Sequence, residues 1–240
     1  MSYSPLNVKY GKSVLLMNEA LHKATNNIKV LYLDSEMSTL GWTERAIALM
    51  SNVSIRKIKT QKFDTLEEEQ QVKKAIERFK TIPLIHINNP AWTIDALETT
   101  IKKWENKLGI DLIIMDYIKA PDTDDAYVEL GKITNFLKNK IAVGMDKAVI
   151  AAAQSNRGGD TGESYRIEQF CSTLIKIVEK TSDEIRRDGA QCGKYKLFVS
   201  LNRNGKSHGN IDDDYIDIHF IGEKMQMQEA EKHVMYDYPI

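Results

Sequence analysis

The chain has 240 residues, 42% of them hydrophobic, and a formal net charge of −1 at pH 7. That is enough apolar material for one substantial core, and the length favours one domain over two. The charge excludes a globally basic nucleic-acid binder and leaves room for a local basic patch. No stretch approaches the roughly 20 apolar residues of a membrane span and the N-terminus lacks a signal-peptide pattern, so a soluble intracellular protein is expected.

Residues 1 to 10 carry too few apolar side chains for a buried strand. Gly11-Lys12-Ser13 follows, and then Val14 to Leu21 with the apolar density of a buried helix. Gly-Lys-Ser opening a helix is the second half of a P-loop: backbone N–H groups cradle phosphate, Lys reaches the β and γ phosphates, and the hydroxyl ligates Mg²⁺. The full spacing asks for Gly at position 6, where Leu6 stands. After a turn at Asn27, Ile28 to Leu33 predicts a buried strand ending in Asp34-Ser35-Glu36-Met37. Ser38 or Thr39 can cap the next helix, whose apolar face is Trp42, Ala46, Ile47, Leu49 and Met50. Glu36 reads either as a solvated loop acid or, beside a P-loop, as a general base toward the water that attacks a γ-phosphate.

Residues 51 to 62 are basic and polar, and Leu66 to Phe79 predicts an amphipathic, charge-rich helix with a solvated face. Pro83 to Ile87 reads as a strand, with His86 a strand residue making a local hydrogen bond, and Thr93 caps a helix to about Lys107. Asp111 to Tyr117 is an apolar strand ending in Asp116, and in parallel sheets ligands bind at that end. A polar loop at 119–125, a helix from Tyr127 to Ile141 and a strand from Ala148 to Ala153 complete the alternation, which predicts a parallel α/β sheet. The glycine-rich segment from Arg157 to Glu163 reads as a mobile loop. Leu174 to Val178, Tyr195 to Leu201 and Ile216 to Ile221 read as strands joined by short turns, an antiparallel extension of that sheet. The charged stretch between the first two has no assigned element. Cys171 and Cys192 lack metal-site spacing and are expected as reduced thiols.

The order of these motifs resembles the ATPase domain of DnaB-type replicative helicases, over nearly the whole chain. Asp34-Ser35-Glu36-Met37-Ser38, with Arg45 after it, resembles the family's Leu-Glu-Met-Ser segment, which implies that Glu36 activates the hydrolytic water. Leu112 to Tyr117 is similar to the Walker B strand, making Asp116 the acid that holds Mg²⁺ through water. Ala153-Gln154-Ser155-Asn156-Arg157 resembles the Ser-Gln-Leu-Asn-Arg motif, in which Gln154 would sense the γ-phosphate. Ile167-Glu168-Gln169 is similar to a segment after a DNA-binding loop, and Asn202-Arg203-Asn204-Gly205 to a turn whose Arg203 would be the arginine finger for a neighbouring subunit's ATP. The resemblance implies a RecA-like α/β fold, a mainly parallel twisted sheet flanked by helices with antiparallel C-terminal strands. It also implies ATP and Mg²⁺ as cofactors, single-stranded DNA as a partner, a homo-oligomer of hexamer type, and a primase or helicase loader. The setting would be the cytoplasm of a bacterial or phage-infected cell.

Several positions depart from that pattern. Besides Leu6, Leu201 stands where a Lys precedes the finger, and Gly162 where the DNA loop carries a basic residue, although Glu163 and Ser164 match. Arg157 and Arg166 are the nearby substitutes, so DNA contact is assigned to Arg157, Glu163 and Arg166. A strand feeding the P-loop and the family's N-terminal primase-binding domain are not recognisable, so residues 1–240 are expected to form a single, N-terminally truncated ATPase domain. Two other readings stay open: a RecA-like recombinase or recombination mediator, and a non-hydrolysing DNA-binding paralogue with a degenerate P-loop.

Overall fold

The computed structural model describes residues 9–118, 126–153 and 169–230. The chain divides into two compact units, the larger from Lys12–Cys171 with Glu223–Met225, the smaller from Met1–Gly11, Ser172–Gly222 and Gln226–Ile240. No helix among the described residues is long and apolar enough to cross a membrane.

In the larger unit four strands, β1 (Val30–Asp34), β2 (Leu84–Asn88), β3 (Leu112–Ile118) and β4 (Ala148–Ala153), pair in parallel in the order β2-β1-β3-β4. Strand side chains alternate between faces, and the apolar runs of β1 and β3 serve two cores at once. Leu31, Leu33, Ile113 and Met115 face one side. There they meet Leu97 and Ile101 of α5 (Ile94–Leu108), then Leu130 and Ile133 of α6 (Ala126–Asn135) and Phe136 of the π-helical turns that continue it to Val143. Val30, Tyr32, Leu112 and Ile114 face the other, against α1 (Lys9–Thr25) and α2 (Thr39–Ser51). A third, smaller core joins Ile47 of α2 to Val72 and Ala75 of α4 (Leu66–Phe79).

Caps place the helix starts. The hydroxyls of Ser38, Thr65 and Thr93 accept from the backbone N–H three residues on, each at 3.2 Å. Residues 55–60, read only as basic and polar, form a short helix, α3 (Ile55–Thr60), whose Lys57 reaches Asp64 at 2.6 Å and Glu68 at 2.5 Å. Six residues are too few to display a helical apolar stripe, which is why the sequence hid it.

The smaller unit holds β5 (Thr173–Glu179), α7 (Ser182–Asp188), β6 (Tyr195–Asn202), β7 (Ile216–Ile221) and β8 (Gln226–Glu229), with antiparallel pairing in the order β5-β6-β7-β8. The antiparallel C-terminal strands were expected, but they form a sheet of their own and do not extend the parallel one. Short turns dictate that successive strands pair, and say nothing about which sheet receives them. The charged stretch before β6 contains α7, started by a reciprocal cap between Thr181 and Glu184. Strand β7 also departs from its predicted half-exposed alternation, because Asp217 is among its buried residues. The Lys180 ammonium, fully buried, explains this: it pairs with Asp217 and with Asp188 at 2.9 Å. Lys196, also buried, pairs with Glu184 and donates to the Ile211 carbonyl at 2.8 Å. Burial alone would push Lys180 down, and its two carboxylate partners outweigh that and hold it above the ordinary lysine value.

Candidate nucleotide site

From β1 the chain goes out to β2 on one flank, and from β2 it crosses to β3 on the other flank of β1. The connections therefore diverge at the carboxyl ends of β1 and β3, the crevice where open α/β sheets bind ligands. Asp34 and Asp116 end the paired stretch there as register partners. By alternation both share a face with Tyr32 and Ile114, the face that α1 covers.

Gly11, Lys12 and Ser13 all lie within α1, which is described from Lys9 onward. The Ser13 hydroxyl donates to Asp116 Oδ1 at 3.1 Å, across 103 positions of sequence. Tyr32 OH donates to Asp116 Oδ2 at 2.7 Å. The Lys12 ammonium donates to the Ala153 carbonyl, at the end of β4, at 2.8 Å. Burial lowers Lys12 below the usual lysine value, and the negative charges of Asp116 and Glu36 oppose the shift.

Asp116 is 4% exposed. Burial pushes its carboxyl up to about 6; repulsion from Asp34 and Glu36 adds to this, while the donors Tyr32 and Ser13 counter it. The loop after β1 is tied from both sides. Asp34 Oδ1 accepts from the Glu36 and Met37 N–H groups, each at 2.7 Å, and the Asp34 carbonyl accepts from Trp92 Nε1 at 3.1 Å. His86 Nε2 lies 3.3 Å from Asp34 Oδ2, and its Nδ1 lies 3.1 Å from the Thr39 hydroxyl, with the ring stacked on Trp42. A local hydrogen bond was expected of His86; its partners instead lie 52 and 47 positions away in sequence. Glu36 itself is exposed, and its Oε1 accepts from Tyr117 OH at 3.1 Å. Burial, then the Glu36 charge, raises the Tyr117 phenol.

The donor set fits a magnesium nucleotide. Ser13 and Asp116 offer hard oxygen ligands, and the carboxylates of Asp116 and Glu36 both act on Lys12. Among the described residues no group of three or more His, Cys, Asp or Glu could hold a metal alone. Magnesium typically takes only one or two protein ligands and completes its shell with water and phosphate oxygens.

The structure thus brings Lys12, Ser13, Glu36 and Asp116 of the predicted set together, with Gly11 adjacent in α1. Arg203 follows β6 in the smaller unit, exposed, with its backbone N–H donating to the Ser172 carbonyl at 2.9 Å. Gln154, Arg157, Glu163 and Arg166 lie outside the described residues, as do Leu6 and the 119–125 loop. Sequence reasoning assigned no role to Tyr32, Tyr117 or the Asp34 carboxylate. Asp34 did carry a signal, as an acid ending a strand, but Glu36 two residues on took the assignment.

The sequence pattern of the DnaB-like helicase C-terminal domain matches residues 7–223. The replicative DNA helicase DnaB of Rickettsia typhi is 24% identical over 230 residues, which cover 84% of this chain and 45% of that protein. The chain therefore spans less than half the length of that relative. Two solved structures share the fold, each at 18% identity. An ATPase domain superposes with a TM-score of 0.77, covering 92% of this chain and 81% of its own. A DnaB-like replicative helicase, studied with its interactions with primase, gives 0.75, covering 91% and 54%. By a match that runs over nearly its whole length, the chain belongs to the DnaB-like helicase C-terminal domain family.

Proposed function

We propose that the chain is the ATP-hydrolysing motor domain of a replicative helicase, one that assembles as a hexameric ring and translocates on single-stranded DNA. The observation that carries this reading is the meeting of Ser13 and Asp116 at the sheet's switch point with Lys12 beside them. In the nucleotide-bound state Lys12 exchanges the Ala153 carbonyl for β- and γ-phosphate oxygens, and the N-terminal N–H groups of α1 hold the phosphates. Ser13, and Asp116 through water, would hold Mg²⁺, which when bound would neutralise charge developing on the phosphate oxygens. Glu36, on a loop pinned by Asp34 and oriented by Tyr117, takes the proton of the attacking water. Gln154, by its motif, is the γ-phosphate sensor of this reading. Arg203 of one subunit reaches the ATP of the next and offsets transition-state charge. Arg157, Glu163 and Arg166 line the DNA path, and a primase or loader docks on the ring.

ATP turnover measured with and without single-stranded DNA tests the reading, together with electron microscopy of the assembly. DNA-stimulated hydrolysis by closed rings, weakened by rising salt and lost in Lys12→Ala, is the expected result. Absence of ATP binding by calorimetry would overturn it in favour of an inactive paralogue, and open cooperative filaments in favour of a recombinase.

A further inference from the structure

The two oxygens of Asp116 have different partners: Ser13 on Oδ1 and Tyr32 on Oδ2. We propose that Tyr32 is a positioning residue, which fixes the Asp116 carboxylate so that Oδ1 faces the divalent cation of the bound nucleotide. The inference rests on the nucleotide-site reading above.

Tyr32 is built to stay where it is. It is 0% exposed, with its ring against Trp42 at 5.1 Å and His86 at 5.6 Å between centroids. Its register partner on β3 is Ile114, so its hydroxyl reaches one step along the same face to Asp116. A phenol donating to a carboxylate makes a charge-assisted bond, stronger than a neutral one and directional. With Oδ2 committed to an immobile donor, the carboxylate cannot rotate, and Oδ1 stays beside the Ser13 hydroxyl, which would also hold the cation. Phe would fill the same core volume without a hydroxyl to desolvate. The hydroxyl therefore contributes polarity at Asp116, not packing.

The test is Mn²⁺ binding, read by electron paramagnetic resonance in the presence of a saturating non-hydrolysable ATP analogue, for the full chain and for Tyr32→Phe. Loss of an outer partner of a metal ligand weakens metal binding by about 10- to 100-fold, so a drop of that order is expected, with metal-free affinity for the analogue unchanged. A change below about twofold in a folded Tyr32→Phe protein overturns the inference. Replacing Tyr32 with 3-fluorotyrosine and 3,5-difluorotyrosine keeps the ring and the donor, so it serves even if Tyr32→Phe fails to fold. Mn²⁺ affinity should then follow phenol acidity, and a flat series overturns the inference. A wild-type chain that binds no Mn²⁺ with the analogue refutes the nucleotide site itself, and this inference with it. Wild-type binding with an indifferent Tyr32→Phe refutes the inference alone.

Discussion

Replacing Asp116 with Asn should stabilise the metal-free protein at neutral pH while abolishing the proposed ATP hydrolysis. Asp116 is an acid whose carboxyl is raised from 3.8 to about 6, chiefly by burial. Between those values the native state binds more protons than the unfolded chain, so stability falls as pH rises through that window and is lowest above it. At about 1.4 kcal/mol for each tenfold change in proton affinity, the ionised carboxylate costs the fold roughly 3 kcal/mol. Asn keeps the shape and removes the charge. Urea unfolding in the presence of a chelator, followed by the fluorescence of Trp42 in the same core, reads the difference. Asp116→Asn should be more stable than wild type by up to about 3 kcal/mol at pH 8, with the gap closing toward pH 4. A variant no more stable than wild type at pH 8, or a gap equally wide at pH 4, would refute the reasoning. In the proposed nucleotide-loaded state a cation would offset that cost.

Glu36→Gln should cut ATP turnover by about 10²- to 10⁴-fold and leave nucleotide affinity unchanged in a binding titration, because it removes a proton acceptor and no phosphate contact. Arg203→Ala should lower kcat by about a thousandfold or more at unchanged nucleotide affinity. Mixing it with Lys12→Ala subunits should restore part of the turnover, since each then supplies what the other lacks across the subunit boundary. Lys180→Met should cost about 3–5 kcal/mol in thermal or denaturant unfolding, because the buried Asp217 loses its partner. Adding Asp217→Leu to it should recover most of that loss, whereas an unchanged melting curve for the single variant would contradict the buried pair.

Much of the larger unit was legible in the sequence because its signals are local. Leu31 to Leu33 and Leu112 to Met115 are apolar at every position, as only a strand covered on both faces needs to be. Ser38, one of two candidates with Thr39, and Thr93 marked helix starts through hydroxyls that bond within their own first turn. Lys12, Ser13, Glu36 and Asp116 pointed to phosphate chemistry through their order, since each motif taken alone has an ordinary structural reading. Less was legible in the smaller unit. Lys180, Glu184, Lys196 and Asp217 carry the composition of a solvated surface, yet all four are buried. A charge shows its burial only through a partner, and Asp217 lies 37 positions from Lys180. The reciprocal cap of α7 was present as Thr181-Ser182-Asp183-Glu184, though a helix of seven residues offers no periodicity to support it.

By itself the sequence determined the alternation of strands and helices and the chemical types at the site, since periodicity, capping and motif order are properties of neighbouring residues. Only the tertiary structure decided that the C-terminal strands form a separate sheet and that Tyr32, read as one more core residue, shares Asp116 with Ser13. Those pairings lie 84 and 103 positions apart and exist only once β1 and β3 lie side by side with α1 across them.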